Sequence, residues 1–172
     1  MLRTATSDIP RAILLLLVQI LVLNQLDLFN GFVLPYLYIL VLLLLPFETK
    51  KGVQLILGLA VGSIMDVFSN TPGMHISACL VLCFIRPGIL RMVSPRDGYE
   101  IGTKPVLSDM GWQWYFLYAG AITLVHHLWL FSIEVMRFNL MPSVLLRTLL
   151  SSLATIILLF LVQLLFFRTS KK

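Results

Sequence analysis

The chain has 172 residues, 59% hydrophobic and 12% charged, with a mean hydropathy of +0.94. A soluble domain of this size cannot hide that much apolar surface, so the composition excludes a water-soluble enzyme or binding module and points to one polytopic membrane domain. A formal charge of +5 would suggest nucleic acid as partner for a soluble protein. Here the basic residues gather in connections and tails, the pattern of membrane orientation, and no nucleic-acid role is expected.

Six spans are expected in an all-α, polytopic fold. The first covers residues 12–29; it is too long for a secretory apolar region and lacks a small-x-small cleavage site, so it reads as an anchor. Asn24, Gln25 and Asp27 mark its far interface. Residues 32–47 form the second span, ended by Pro46, with Pro35 placed in its first turn. At 16 residues it is short for a bilayer crossing of about 20. Glu48, Lys50 and Lys51 make the next connection. Residues 52–68 and 74–93 form the third and fourth spans, joined by the corner Ser69-Asn70-Thr71-Pro72-Gly73, with Arg86-Pro87 expected at the membrane surface. Residues 94–111 read as the longest loop, rich in Gly, Pro and charge. The fifth span, 112–135, opens with Trp112, Trp114, Tyr115 and Tyr118, read as an interfacial aromatic belt. The sixth covers 142–167, with Pro142 in its first turn.

Lysines and arginines sort unequally across these spans. Eleven of thirteen (Arg3, Arg11, Lys50, Lys51, Arg86, Arg91, Arg96, Lys104, Arg168, Lys171 and Lys172) fall on one side, and Arg137 and Arg147 on the other. Basic residues stay in the cytoplasm, so both termini are expected there.

Cys79 and Cys83 lie one helical turn apart in an apolar run. That spacing suits neither a disulfide nor, with His75 on the same face, a closed metal site, and they read as packing residues. Neither metal nor cofactor is expected.

The intramembrane ionisable groups gather in the outer half: Asp66, His75, Glu134 and Arg147, with His126 and His127 deeper. Unpaired charge is costly in hydrocarbon, by roughly 2.5–3.5 kcal/mol on insertion scales. A shared polar cluster is therefore expected, with Asp66–Arg147 and Glu134–Arg137 as pairs. It reads either as a binding or proton-handling pocket or as a structural lock fixing helix register. Neighbouring His126 and His127 are expected on different helix faces. Gln54, Gly58, Gly62 and Asp66 recur every fourth residue, so the acidic face is also the packing face, and Gly58 and Gly62 form a G-x-x-x-G pair that admits a close helix. Hydrolase, P-loop and zinc-protease motifs are absent, so no enzyme is expected.

The segments LLPFETKKG (44–52), GLAVGSIMDVFSNTPGMH (58–75) and RPGIL (86–90) resemble the bacterial rod shape-determining MreD family. The residues that carry the likeness are Pro46, Phe47, Gly58, Gly62, Asp66, Gly73 and His75. The resemblance implies a non-catalytic inner-membrane component of the elongation machinery, supporting rod shape and lateral peptidoglycan synthesis. It implies binding to an MreC-like partner alongside MreB, RodA and a penicillin-binding transpeptidase. It also implies a fold like the six-helix substrate-binding subunits of energy-coupling-factor transporters. The alternative is a vitamin- or small-solute-binding subunit of such a transporter. Its usual A-x-x-x-A pattern is missing from the first span, where Ala12 stands alone. A third reading, an enzyme acting on lipid carriers, lacks paired acidic motifs in the loops.

Overall fold

The computed structural model describes residues 2–100 and 103–166, with side chains from Ile9 onward. The described residues form helices and connections, with no strand. In chain order the helices are α1 (Leu2–Leu21), α2 (Ile39–Leu43), α3 (Lys51–Ser69), α4 (Met74–Met92), α5 (Leu107–Met110), α6 (Trp112–Val135) and α7 (Met141–Phe166), with 3-10 turns at Leu23–Gln25 and Phe138–Leu140. Among the described residues, four segments are long and apolar enough to cross a membrane: Lys51–Ser69, Met74–Met92, Trp112–Val135 and Phe138–Phe166. The apolar part of the first helix, Ile9–Gln25, is shorter. This is a helical membrane protein. Residue 167 of the sixth expected span, and the basic residues Arg168, Lys171 and Lys172, lie outside the described residues.

Helices α3 and α4 form an antiparallel hairpin; α4 packs on α6, and α6 on α7. The hairpin turns sharply because Asn70 and Gly73 both take the left-handed conformation, at φ 54° and 84°. The Thr71 amide reaches back to the Asp66 carbonyl at 3.1 Å, closing the end of α3. The hairpin is tight because Gly58 and Gly62 face α4. A Cβ on Gly62 would stand 2.5 Å from the Ile76 Cα, and one on Gly58 would stand 2.8 Å from Cys83 Sγ and 3.2 Å from the Cys79 carbonyl oxygen. Cys79 and Cys83 are free thiols buried in this seam.

The second expected span is not a continuous helix. Only Ile39–Leu43 is α-helical, and residues 33–36 run without regular structure. Pro35 lies inside this run, where it supplies no amide and biases Leu34 away from helix. The bare backbone is served by side chains of other helices. The Leu34 amide donates to Ser151 Oγ at 3.0 Å, the Tyr36 amide to Thr155 Oγ1 at 3.0 Å, and the Leu37 amide to Gln19 Oε1 at 2.6 Å. Gln19 also donates to the Pro35 carbonyl at 3.3 Å. Irregular buried backbone survives only where other groups satisfy its hydrogen bonds, and this segment lies in the core of the fold. Tyr38, Ile39, Leu40, Leu42 and Leu43 are fully buried.

The aromatic belt is also corrected. Tyr115 and Tyr118 are fully buried and belong to the core, whereas Trp112 is exposed. Arg86 is completely buried: Nε donates to the Tyr118 hydroxyl at 2.7 Å, and Nη2 to the Leu45 carbonyl, while Tyr118 donates onward to the Leu43 carbonyl at 3.1 Å. Arg86 therefore ties α4 to the chain just beyond α2. Beside it, Phe47 stacks on Tyr99, centroids 4.1 Å apart, and Trp114 meets Phe47 edge-on. The loop expected over 94–111 contains the single-turn helix α5, whose Leu107 amide donates to Gln163 of α7 at 3.3 Å.

Candidate functional site

The polar residues concentrate at the end of the bundle that carries the α3–α4 turn. Asp66 lies in the last turn of α3 and is buried. Its carboxylate accepts four hydrogen bonds: His75 N at 2.8 Å and Thr71 Oγ1 at 3.0 Å on Oδ1, Gly73 N at 2.9 Å and Ile76 N at 3.1 Å on Oδ2. These amides are the unsatisfied donors of the α4 N-terminus, so Asp66 caps α4 from the preceding helix and meets its positive dipole end. The expected Asp66–Arg147 pair does not form. Arg147 donates to Glu134 Oε2 at 2.8 Å and lies over the Phe131 ring, 4.3 Å from its centroid. Glu134 is thus taken by Arg147, and the expected Glu134–Arg137 pair is replaced. The reason is geometric: the four donors of the turn already complete the Asp66 carboxylate.

A second group is built around Tyr38, a residue the sequence reading passed over. Its hydroxyl lies 2.8 Å from His75 Nδ1 and 2.8 Å from His126 Nε2. A phenol has one hydrogen, so it donates to one ring and accepts from the other. His126 Nδ1 is buried without a partner. An orphaned lone pair is cheaper to bury than an orphaned N–H, so His126 carries its hydrogen on Nε2. Tyr38 then donates to His75 Nδ1, and His75 carries its hydrogen on Nε2. Adjacent His126 and His127 are both fully buried. His127 Nδ1 lies 2.9 Å from the Thr123 carbonyl, which requires Nδ1–H, and Nε2 lies 3.2 Å from Thr155 Oγ1 and 3.3 Å from the Leu34 carbonyl. Thr155 accepts the Tyr36 amide, which frees its own hydrogen for His127. Four aromatic rings, Tyr38, His75, His126 and His127, surround Tyr36 with centroids 5.2–6.0 Å away.

Next to this group opens a cavity of about 380 Å³. Gln19, Asn24, Tyr36, Ser69, Thr71, His75 and Glu134 give it polar walls, and Leu23, Phe68, Met74 and Leu130 apolar ones. Asn24 bridges the wall, accepting from Gln19 at 2.8 Å and donating to Ser69 Oγ at 3.3 Å. Of the residues singled out from sequence, His75 and Glu134 line this cavity, Asp66 stands behind it as the α4 cap, and Arg147 reaches it through Glu134. Gly58 and Gly62 lie along the hairpin seam. Pro46 and Phe47 sit in the connection between α2 and α3, with Phe47 in the aromatic group at the opposite end. Among the described residues, no group of three or more His, Cys, Asp or Glu is placed to hold a metal ion.

Comparison with protein-family models, with curated proteins and with solved structures gives no match.

Tyr36, Tyr38, Gln19 and Thr155 are the site residues that sequence reasoning missed. Gln19 had a signal: a lone amide in the apolar run LLLLVQILVL must find a partner inside the protein. Tyr36 and Tyr38 had a weaker one, because Pro35, directly before Tyr36, biases Leu34 away from helix.

Proposed function

We propose that this chain is an MreD-like, non-catalytic component of the bacterial inner membrane that supports rod shape by holding an MreC-like partner. RodA, MreB and a penicillin-binding transpeptidase are its neighbours in that machinery. One observation supports the reading. The motif residues Gly58, Gly62, Asp66, Gly73 and His75 close into one structural unit, the α3–α4 hairpin, with the glycines setting its spacing and Asp66 fixing its turn. A motif that builds a rigid surface hairpin suits a protein whose work is to be gripped. The exposed faces of α3, α7 and α1 from Ile13 onward are almost wholly apolar, as a membrane-embedded scaffold requires.

The reading includes six crossings with both termini cytoplasmic, as in the substrate-binding subunits of energy-coupling-factor transporters. In it, α1 is one crossing and residues 33–43 are the irregular second. Four extended residues (33–36) at about 3.3 Å each, followed by seven turn and helical ones (37–43) at about 1.5 Å, reach at most roughly 24 Å. That falls short of the ~30 Å hydrocarbon core, so in this reading the flanking residues of the 32–47 span complete the crossing.

The test is depletion of the chain in its rod-shaped host, with affinity purification of a tagged copy. Rounded cells, and co-purification of a single-span partner carrying a coiled coil, are expected. Gly62→Leu should lose both effects. Cells that stay rod-shaped, with the chain recovered alone, would refute the proposal.

A further inference from the structure

The cavity beside Tyr36 and His75 holds two polar groups that the protein leaves unused. Tyr36 is 7% exposed and His75 3%. Both line the cavity. The Tyr36 hydroxyl takes no hydrogen bond from the described residues, although the same residue's amide is bound to Thr155. His75 spends Nδ1 on Tyr38, and the proton order derived above leaves an N–H on Nε2 with no protein acceptor. Two donors with no partner among the described residues, on residues that line one cavity, suit a ligand with acceptors.

The charges lining the cavity restrict that ligand further. Glu134 is the one carboxylate in the wall, and Arg147 compensates it at 2.8 Å. Asp66 is completed by the α4 amides. A charged guest would find no opposite charge to offset its desolvation. Phe68, Met74, Leu130 and Leu23 offer an apolar face. A volume of about 380 Å³ falls at the small end of ligand sites.

We propose that the cavity bounded by Tyr36, His75, Thr71 and Glu134 is a binding site for a small uncharged molecule with an apolar face and hydrogen-bond acceptors. This is independent of the elongation-machinery reading: partner retention tests that one, and small-molecule binding tests this one.

The experiment compares three probes of one shape and different charge. Nicotinamide is neutral, nicotinate anionic and 1-methylnicotinamide cationic. Binding to the full chain in lipid nanodiscs is followed by saturation-transfer NMR and by thermal shift. Nicotinamide should bind, with each charged probe at least roughly tenfold weaker, the factor that one lost or unpaired polar contact gives. Tyr36→Phe should weaken nicotinamide by a similar factor while the variant unfolds at the wild-type temperature, since its hydroxyl bonds to nothing in the protein. That unchanged unfolding separates lost binding from lost fold. The proposal is overturned if nicotinamide fails to bind, if the three probes bind alike, or if Tyr36→Phe binds like wild type.

Discussion

At the scale of single residues, a buried charge can be resolved by the nearest backbone rather than by a distant partner. Asp66 shows this most clearly. It faces an arginine-bearing helix bundle, yet its two oxygens are filled by three amides and one hydroxyl of its own turn. Asp66→Ala strands those amides at the start of α4 and should lower stability by about 2 kcal/mol or more, the sum of a lost cap and lost charge-assisted bonds. Arg147→Met removes a pair whose side chains are 17% and 39% exposed, which costs only about 0–1 kcal/mol. A double-mutant cycle measured by unfolding in mixed micelles discriminates the two arrangements. Asp66 and Arg147 should show additive losses, whereas Glu134→Gln with Arg147→Met should show coupling. Rescue of Asp66→Ala by Arg147→Met would contradict the capping geometry.

At the scale of elements, the long helices follow from sequence because their signals are local. Apolar runs of helical length, the Asn70 to Gly73 corner and the every-fourth-residue stripe placed α3, α4, α6 and α7 within a few residues. The position of Asp66 and His75 on either side of the α3–α4 turn was legible for the same reason. What was not legible, beyond the close approach at Gly58 and Gly62, was what is decided between elements. Arg86 lies in a sequence that reads as a membrane edge, and only the approach of Tyr118 and the Leu45 carbonyl makes its burial affordable in hydrogen bonds. Tyr115 and Tyr118 look like interfacial aromatics until α4 and α2 cover them. The glycines give a direct test of element packing. Gly62→Ala puts a methyl 2.5 Å from the Ile76 Cα, and backbone cannot step aside. It should destabilise the hairpin by about 1–3 kcal/mol, as overpacking does. Gly120→Ala on α6 meets only the Ile156 Cδ1 at 3.8 Å, and should be neutral or stabilise by up to about 1 kcal/mol through helix propensity. Thermal melts of the two variants side by side check the contrast, and equal melts would mean that α3 and α4 are not in backbone contact.

At the scale of the whole molecule, the bundle is assembled around a chain that is not a helix. The eleven-to-two division of basic residues predicts the sidedness of that bundle. In a variant without Cys79 and Cys83, an impermeant thiol reagent added from outside should label Pro72→Cys and spare Glu48→Cys, and the opposite pattern would invert the topology. The irregular segment from Val33 to Tyr38 then sets how the helices come together, because α1 and α7 each lend it hydrogen-bonding groups. Such a segment has no internal ladder, so its stability belongs to its neighbours. Two hydroxyls of α7 make this testable. Thr155 Oγ1 accepts the Tyr36 amide and meets His127, while Ser152 Oγ, one turn earlier, is buried with no partner. Thr155→Val keeps the shape and leaves two buried polar groups unsatisfied, which should cost about 2 kcal/mol or more. Ser152→Ala removes a hydroxyl that bonds to nothing and adds a better helix former, so it should be neutral or mildly stabilising. If the segment is held as described, Thr155→Val lowers the unfolding temperature and speeds hydrogen exchange at the Tyr36 amide, and Ser152→Ala does neither. Equal effects from the two substitutions would mean that α7 supports the central segment by packing alone, and that the Tyr36 amide finds its acceptor elsewhere.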